Sequence, residues 1–131
     1  MKAEDLMVGD YISVKPSGMP IKIAAVHHKK VAYHAVTNKL TWVRESLLEP
    51  IPVTSEVLEK NGFVKLWNQY VLKADKEPFI HLISLDNLPN ANGRMLVAIK
   101  DRYTNAKIAI IYVHELQHAL RSCKIEKEVE L

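Results

Sequence analysis

The chain has 131 residues, 48% hydrophobic and 25% charged, with a formal net charge of +3. That length suits one domain or two small subdomains able to bury a core without staples, and the composition excludes disorder, collagen and coiled coil. Its one cysteine, Cys123, excludes an internal disulfide framework and a cysteine-rich zinc site.

The opening MKAEDLMVGD has no apolar signal region, and no apolar run approaches the ~18 residues of a membrane span. A cytoplasmic protein with no membrane partner is expected. Residues 11–14 alternate weakly and stop at the turn cluster Pro16-Ser17-Gly18. Residues 21–26, apolar except for Lys22, read as one strand covered on both faces. His27-His28-Lys29-Lys30 interrupts the pattern and 31–36 resumes it, which predicts a hairpin. Thr37-Asn38 is the next turn, and 40–43, with Trp42, the next strand. Short strands separated by turn signals predict a small SH3-like β-barrel. Residues 47–53 supply a closing extended segment. Pro50 and Pro52 have no N–H to donate, so it sits on an edge or leaves the sheet.

Thr54-Ser55 opens the first helix: a hydroxyl caps free N–H groups, and Glu56 suits the positive end of the dipole. Asn61-Gly62 stops it, with Gly62 suited to the left-handed position after the cap. Residues 63–67 and 70–73 flank Asn68-Gln69 as a second hairpin. Residues 79–85, 95–99 and 106–111 read as three more strands, with loops over 86–93 and 101–105. Residues 112–123 read as the last helix, followed by a charged tail. The predicted class is α+β. A small SH3-like β-barrel unit (1–53) packs against an antiparallel sheet flanked by two helices (54–131). The connection at 50–54 is too short for a flexible tether, so one rigid body is expected. Proteolysis near residue 53 that released two stable halves would count against it.

Residues 15–44 carry Lys15, Lys22, Lys29, Lys30, Lys39 and Arg44 and no Asp or Glu. Such a block attracts phosphate if its side chains share one face, which makes Lys22, Lys29, Lys30, Lys39 and Arg44 the nucleic-acid-binding candidates. Spread over several strands, the same charges read as a solvated surface.

Residues 114–118 are His-Glu-Leu-Gln-His, the H-E-x-x-H pattern in which two histidines one helical turn apart bind zinc and the glutamate activates its water. On that reading His114 and His118 are metal ligands and Glu115 is the catalytic base. A catalytic zinc needs a third protein ligand. Lys124 and Arg121 stand where a metzincin extension requires histidine and glycine. Only His27, His28, His34, His81 or a folded-back tail glutamate is left to supply it. At about 100° per residue the histidines fall opposite Tyr112, Leu116, Ala119, Leu120 and Cys123. A solvated pair is therefore expected, with zinc at most as a surface bis-His site.

The other candidates have structural readings. His27 and His28 suit a polar turn tip, His34 and His81 half-buried strand positions, and Cys123 core packing near a helix end. Tyr11, Tyr33, Trp42, Trp67 and Tyr70 read as packing residues rather than a stacking platform. Asn90-Ala91-Asn92-Gly93 lacks the pattern of a phosphate loop.

Three segments carry a resemblance: residues 6–14 (LMVGDYISV), 49–63 (EPIPVTSEVLEKNGF) and 112–120 (YVHELQHAL). The chain resembles short uncharacterised proteins of gut Bacteroidales, often encoded in prophage or mobile-element regions. The resemblance implies a bacterial or phage-associated protein and no particular activity. In that group the last segment often reads YVHQLQ, with glutamine at the position of Glu115, which argues against zinc hydrolysis. The leading expectation is a non-enzymatic binding or adaptor module with a protein partner, docked by strand addition at 106–111 or at a barrel edge. Nucleic-acid binding through 15–44 is the alternative, and zinc-dependent hydrolysis through 114–118 the third reading.

Overall fold

The computed structural model describes residues 1–66, 69–72, 79–84, 95–100, 105–122, 125 and 127–131. It is α+β, with antiparallel sheets and two α-helices. Contacts divide the chain into two compact units: Met1–Pro52 with Tyr112–His114, and Val53–Ile111 with Glu115–Leu131. No described helix is long and apolar enough to cross a membrane.

The first unit contains β1 (Tyr11–Val14), β2 (Met19–Lys22), β3 (Ala25–His27), β4 (Lys30–His34), β5 (Leu40–Arg44) and β6 (Leu48–Glu49). They form two three-stranded sheets, β2-β1-β6 and β3-β4-β5. The pairings among the described residues do not close into a barrel. The run 21–26, expected as one strand, breaks after Lys22. The reason lies in its hydrogen bonds. The Ile23 N–H donates to the Asp10 carbonyl at 2.9 Å, while the next N–H, of Ala24, donates to the Ala32 carbonyl at 2.7 Å. Adjacent residues thus serve different sheets, and the chain bends between them. Buried Ile12, Ile21, Ile23, Val31, Val43 and Leu48 form the core with Ala3 and Leu6 from the N-terminal turn. Pro50 lies just past β6, as its missing N–H requires, and Pro52 makes an isolated bridge to Tyr112.

The second unit opens with α1 (Ser55–Lys60). Thr54 is its N-cap: Oγ1 accepts the Val57 N–H at 3.3 Å. At the other end Gly62 takes φ +85°, its N–H donates to Glu59, and the Phe63 N–H donates to Leu58. This is a Schellman cap, and its customary hydrophobic pair is present as buried Leu58 and Phe63. Two turns cannot hold a helix by propensity, so these end contacts and buried Leu58 carry it.

A five-stranded antiparallel meander follows: β7 (Val64–Leu66), β8 (Gln69–Leu72), β9 (Phe79–Ser84), β10 (Met95–Lys100) and β11 (Asn105–Ile110), ordered as in sequence. Register sets Tyr70 opposite Leu82, Leu82 opposite Val97 and Val97 opposite Ile108, an apolar row across four strands. Gln69, expected in a turn, opens β8. Asn68, Trp67, Cys123, Lys124, Glu126 and the expected loop 86–93 lie outside the described residues, as do 101–104. The last helix is α2 (Val113–Ser122). Its buried residues Val113, Leu116, Gln117, Ala119 and Leu120 follow the i, i+3, i+4, i+7 spacing of one helix face. The tail beyond it is anchored. Val129 is buried, and the Asn61 side chain grips the Glu130 backbone with two hydrogen bonds of 2.6 and 2.7 Å.

Candidate nucleic-acid interface

In the β3-β4-β5 sheet, Val26 pairs with Val31 and Val31 with Val43, and these residues face the core. Side chains alternate along a strand, so the positions between them point outward. One outward cross-strand row reads His27, Lys30, Arg44; the next reads Ala25, Ala32, Trp42; beyond it His34 stands opposite Leu40. His27, Lys30, His34, Leu40, Trp42 and Arg44 are all exposed.

Trp42 has a defined pose. It is 47% exposed, while Ala32, its partner in the outward row, is 0% exposed. The indole and the His27 ring, two strands apart, meet nearly at right angles, with a centroid distance of 6.3 Å and an interplanar angle of 81°. His28 packs edge-on against His27 at 4.3 Å.

The charged residues of the outward rows, Lys30 and Arg44, are both basic. No Asp or Glu occurs in the outward rows. Among the described residues Lys29, Lys30, Lys39 and Arg44 take part in no ion pair, whereas Lys15 pairs with Glu49 at 3.4 Å and Lys2 with Glu4 at 3.8 Å. Glu45, next to Arg44 in sequence, accepts the Ala3 N–H on Oε2 at 2.9 Å, and with Glu4 it lines a cavity shared with His27, His28, Lys29 and Lys30. The fold thus unites Lys30 and Arg44, with Lys29 at the adjoining hairpin tip. Two other candidates lie elsewhere. Lys39 is in the turn at the opposite end of the β4–β5 hairpin, and Lys22 is paired with Tyr11 on the β1–β2 sheet, its Nζ 5.7 Å from the ring.

Trp67 lies outside the described residues, and the four described aromatics of that set have different surroundings. Tyr33 packs against the core of the first unit, Tyr70 is buried in the second, and Tyr11 lies beneath Lys22. Trp42 alone among them is classed as exposed within the described residues, which corrects its reading as a packing residue. The signal was available: in Leu40-Thr41-Trp42-Val43-Arg44, period two puts Trp42 on the side of Arg44 and opposite Val43. Elsewhere in the first unit, Val8, Met19, Tyr33 and Val36 line an apolar groove of about 640 Å³.

The H-E-x-x-H residues have structural duties in α2. Glu115 occupies the first turn, and its Oε1 accepts the Ile111 N–H at 3.0 Å. The carboxylate thus reaches past the helix start to the residue before Tyr112 and ties the end of the preceding segment to the first turn of α2. His114 stacks on Tyr112, with ring centroids 5.9 Å apart and planes 9° from parallel. Both histidines are half-buried, so the expected solvated pair is corrected. The helical angle does put them opposite the buried stripe, but a wheel says nothing of neighbours such as Tyr112 that cover a flank. Among the described residues no group of three His, Cys, Asp or Glu converges in metal-binding geometry. Replacing Glu115 by alanine should cost about 0.5–1.5 kcal/mol, because the Ile111 N–H loses its acceptor. Glu115→Gln keeps an acceptor and should cost much less. Urea melts of the two variants check this, and equal losses would sink the role of this hydrogen bond.

No family model, curated protein or solved structure matches the chain.

Proposed function

We propose that the chain is a non-enzymatic binding module whose N-terminal unit is SH3-like and binds nucleic acid through the outward face of β3-β4-β5. The observation that carries the reading is the register: Lys30 and Arg44 are cross-strand partners, and the outward strand rows hold exposed Trp42 and no Asp or Glu. The SH3-like assignment is supported by connectivity. The segment 19–27 serves both sheets, a 3-10 turn (Glu45–Leu47) follows β5, and β6 returns to pair with β1. The resemblance to mobile-element proteins supplies a setting in which a nucleic-acid ligand is at hand.

Nucleic-acid binding has a thermodynamic signature. Each neutralised phosphate releases counterions, so log K falls with log salt by about 0.9 per contact on duplex and about 0.7 on single strands. Replacing Lys30 and Arg44 together by alanine should flatten that slope by roughly 1.4–1.8 units. Lys39→Ala should leave it nearly unchanged, since Lys39 sits at the far end of the hairpin. Fluorescence anisotropy across a salt series reads both. Absence of binding to any DNA or RNA at low salt would sink the proposal.

The zinc-hydrolase reading needs Glu115 as a base, and a Glu115 carboxylate oxygen already accepts a backbone N–H. The protein-partner reading retains β11, an outer strand of the meander, as a site for strand addition, and the structure adds β7, the outer strand on the opposite edge. Val64 and Leu66 of β7 are 59% and 47% exposed.

A further inference from the structure

We infer that the ligand is a single strand, held by one base stacked on the outward face of the Trp42 indole while Lys30 and Arg44 hold the flanking phosphates. This rests on the nucleic-acid reading and goes further, because it selects among nucleic acids by the shape of the site.

A duplex buries the faces of its bases and offers a protein only groove edges and backbone. Reading the major groove takes a helix or a projecting two-stranded ribbon. The outward face of β3-β4-β5 is neither. It is a short sheet surface whose largest exposed group is the Trp42 indole, register partner of the fully covered Ala32 and in contact with the His27 ring. An indole held by a neighbouring ring loses less conformational freedom when a base stacks on it. An unpaired base supplies the matching π-face, whatever its identity.

The cations stand where the backbone of such a base must run. Arg44 is two residues along β5 from Trp42, on the same face, and Lys30 is the register partner of Arg44. Lys30 is diagonal to Trp42, about 7–8 Å away, and directly opposite Arg44, about 5 Å away, so both long side chains lie in the row beside the indole, within reach of the backbone of a stacked nucleotide. His27 meets the indole nearly at right angles and lies in the same row as Lys30, so it closes the side of the platform toward β3. On the other side, exposed Leu40 and His34 continue the surface along the two strands. A second base has an apolar and imidazole bed there, but no second indole. The site is therefore short, one strongly held nucleotide with weaker neighbours.

The probes are an oligothymidylate of about twelve nucleotides, a duplex of equal length and an abasic strand of equal length. The protein is the full chain. The oligothymidylate should bind more tightly than the duplex or the abasic strand at the same salt. Trp42→Ala should weaken oligothymidylate binding by about 5- to 150-fold while moving the abasic strand by less than about twofold. Trp42→Phe keeps a smaller ring and should fall between wild type and alanine. It also serves if the alanine variant folds poorly, which circular dichroism reports. In a Trp67→Phe background the remaining tryptophan fluorescence should be quenched by oligothymidylate and not by the abasic strand. Failure of every strand to bind would remove the nucleic-acid reading and this inference with it. Tighter binding of duplex, or equal affinities for wild type and Trp42→Ala, would overturn the single-strand inference alone and leave the phosphate contacts of Lys30 and Arg44 standing.

Discussion

Asn61→Ala should lower the stability of the second unit by about 2–4 kcal/mol, a large share of what a small domain has. Asn61 is 1% exposed at the C-cap of α1. Its Nδ2 donates to the Val57 carbonyl at 2.7 Å and to the Glu130 carbonyl at 2.6 Å, and its Oδ1 accepts the Glu130 N–H at 2.7 Å. The amide therefore reads the Glu130 backbone as a neighbouring strand would, donor to acceptor and acceptor to donor. Alanine leaves those groups to find water or go without, and buried unmet groups cost about 1–3 kcal/mol each. Val129 is buried beside them and loses its anchor as well. Lys60, whose Nζ bonds the Leu131 carbonyl, holds the tail from an exposed position and should matter far less. Asn61→Asp is the sharper control: it keeps an acceptor for the Glu130 N–H but sets a carboxylate against two carbonyls. It should be at least as harmful as alanine. Urea titration should show a lower midpoint, and hydrogen exchange should speed at the Glu130 amide. A midpoint change worth less than about 0.5 kcal/mol would mean that the tail is not held by this side chain.

The local chemistry of α1 was legible because each signal there has one physical use. A Thr54 hydroxyl before an apolar pair, and Asn-Gly after it, lead to the cap at Val57 and the left-handed Gly62. Strand positions were legible for the same reason: β1, β4, β5, β9, β10 and β11 lie where runs of apolar residues meet turn residues. The bend at Ile23-Ala24 was not legible. An unbroken apolar run looks alike whether its backbone serves one sheet or two, since the partners, Asp10 and Ala32, come from opposite sides in the sequence. The tail misled for another reason. Glutamates dominate 126–131, yet Val129 is the residue that decides its place, and one buried valine is invisible in a composition.

The candidate site was half legible. The basic block was evident, but charge counted along a chain carries no direction. Only register separates Lys30 and Arg44, which share a row, from Lys22 and Lys39, which do not. Trp42 was misread because large aromatics are usually core residues, and that habit overrode the alternation of its own strand. The H-E-x-x-H residues illustrate the converse. Their spacing fits a metal, and it equally fits a helix start in which Glu115 satisfies an N–H and His114 stacks on Tyr112. Sequence spacing alone gives both readings, and the hydrogen bond at Ile111 tells them apart.

Ile12→Ala should be the most damaging single change in the first unit, with a loss of about 2–5 kcal/mol. Ile12 is 0% exposed and sits on β1, the central strand of its sheet, paired with Ile21 on β2. From there it joins the one buried cluster that draws on both sheets, since Val31 and Val43 come from β4 and β5. Truncation removes three carbons' worth of apolar burial, and the surrounding strands cannot close over the gap without breaking register. Ile12→Val, which removes a single methylene, should cost only about 0.5–1.5 kcal/mol. The size of the larger loss is the test of packing, because a site that collapsed freely would leave only the transfer term, about 0.8 kcal/mol per carbon removed, or roughly 2.4 kcal/mol for Ile12→Ala. The readout is urea unfolding, followed by exchange of the Val31 and Val43 amides. The same variant links stability to the proposed function. The outward face that carries Trp42 and Arg44 is the reverse side of the strand that buries Val43. A loosened core should therefore weaken oligothymidylate binding only in step with the unfolded fraction, recovering at lower temperature. Ile12→Ala that melts early yet binds at full affinity when folded is the expected result. If the folded variant bound poorly, the face would depend on core rigidity beyond the register that positions it.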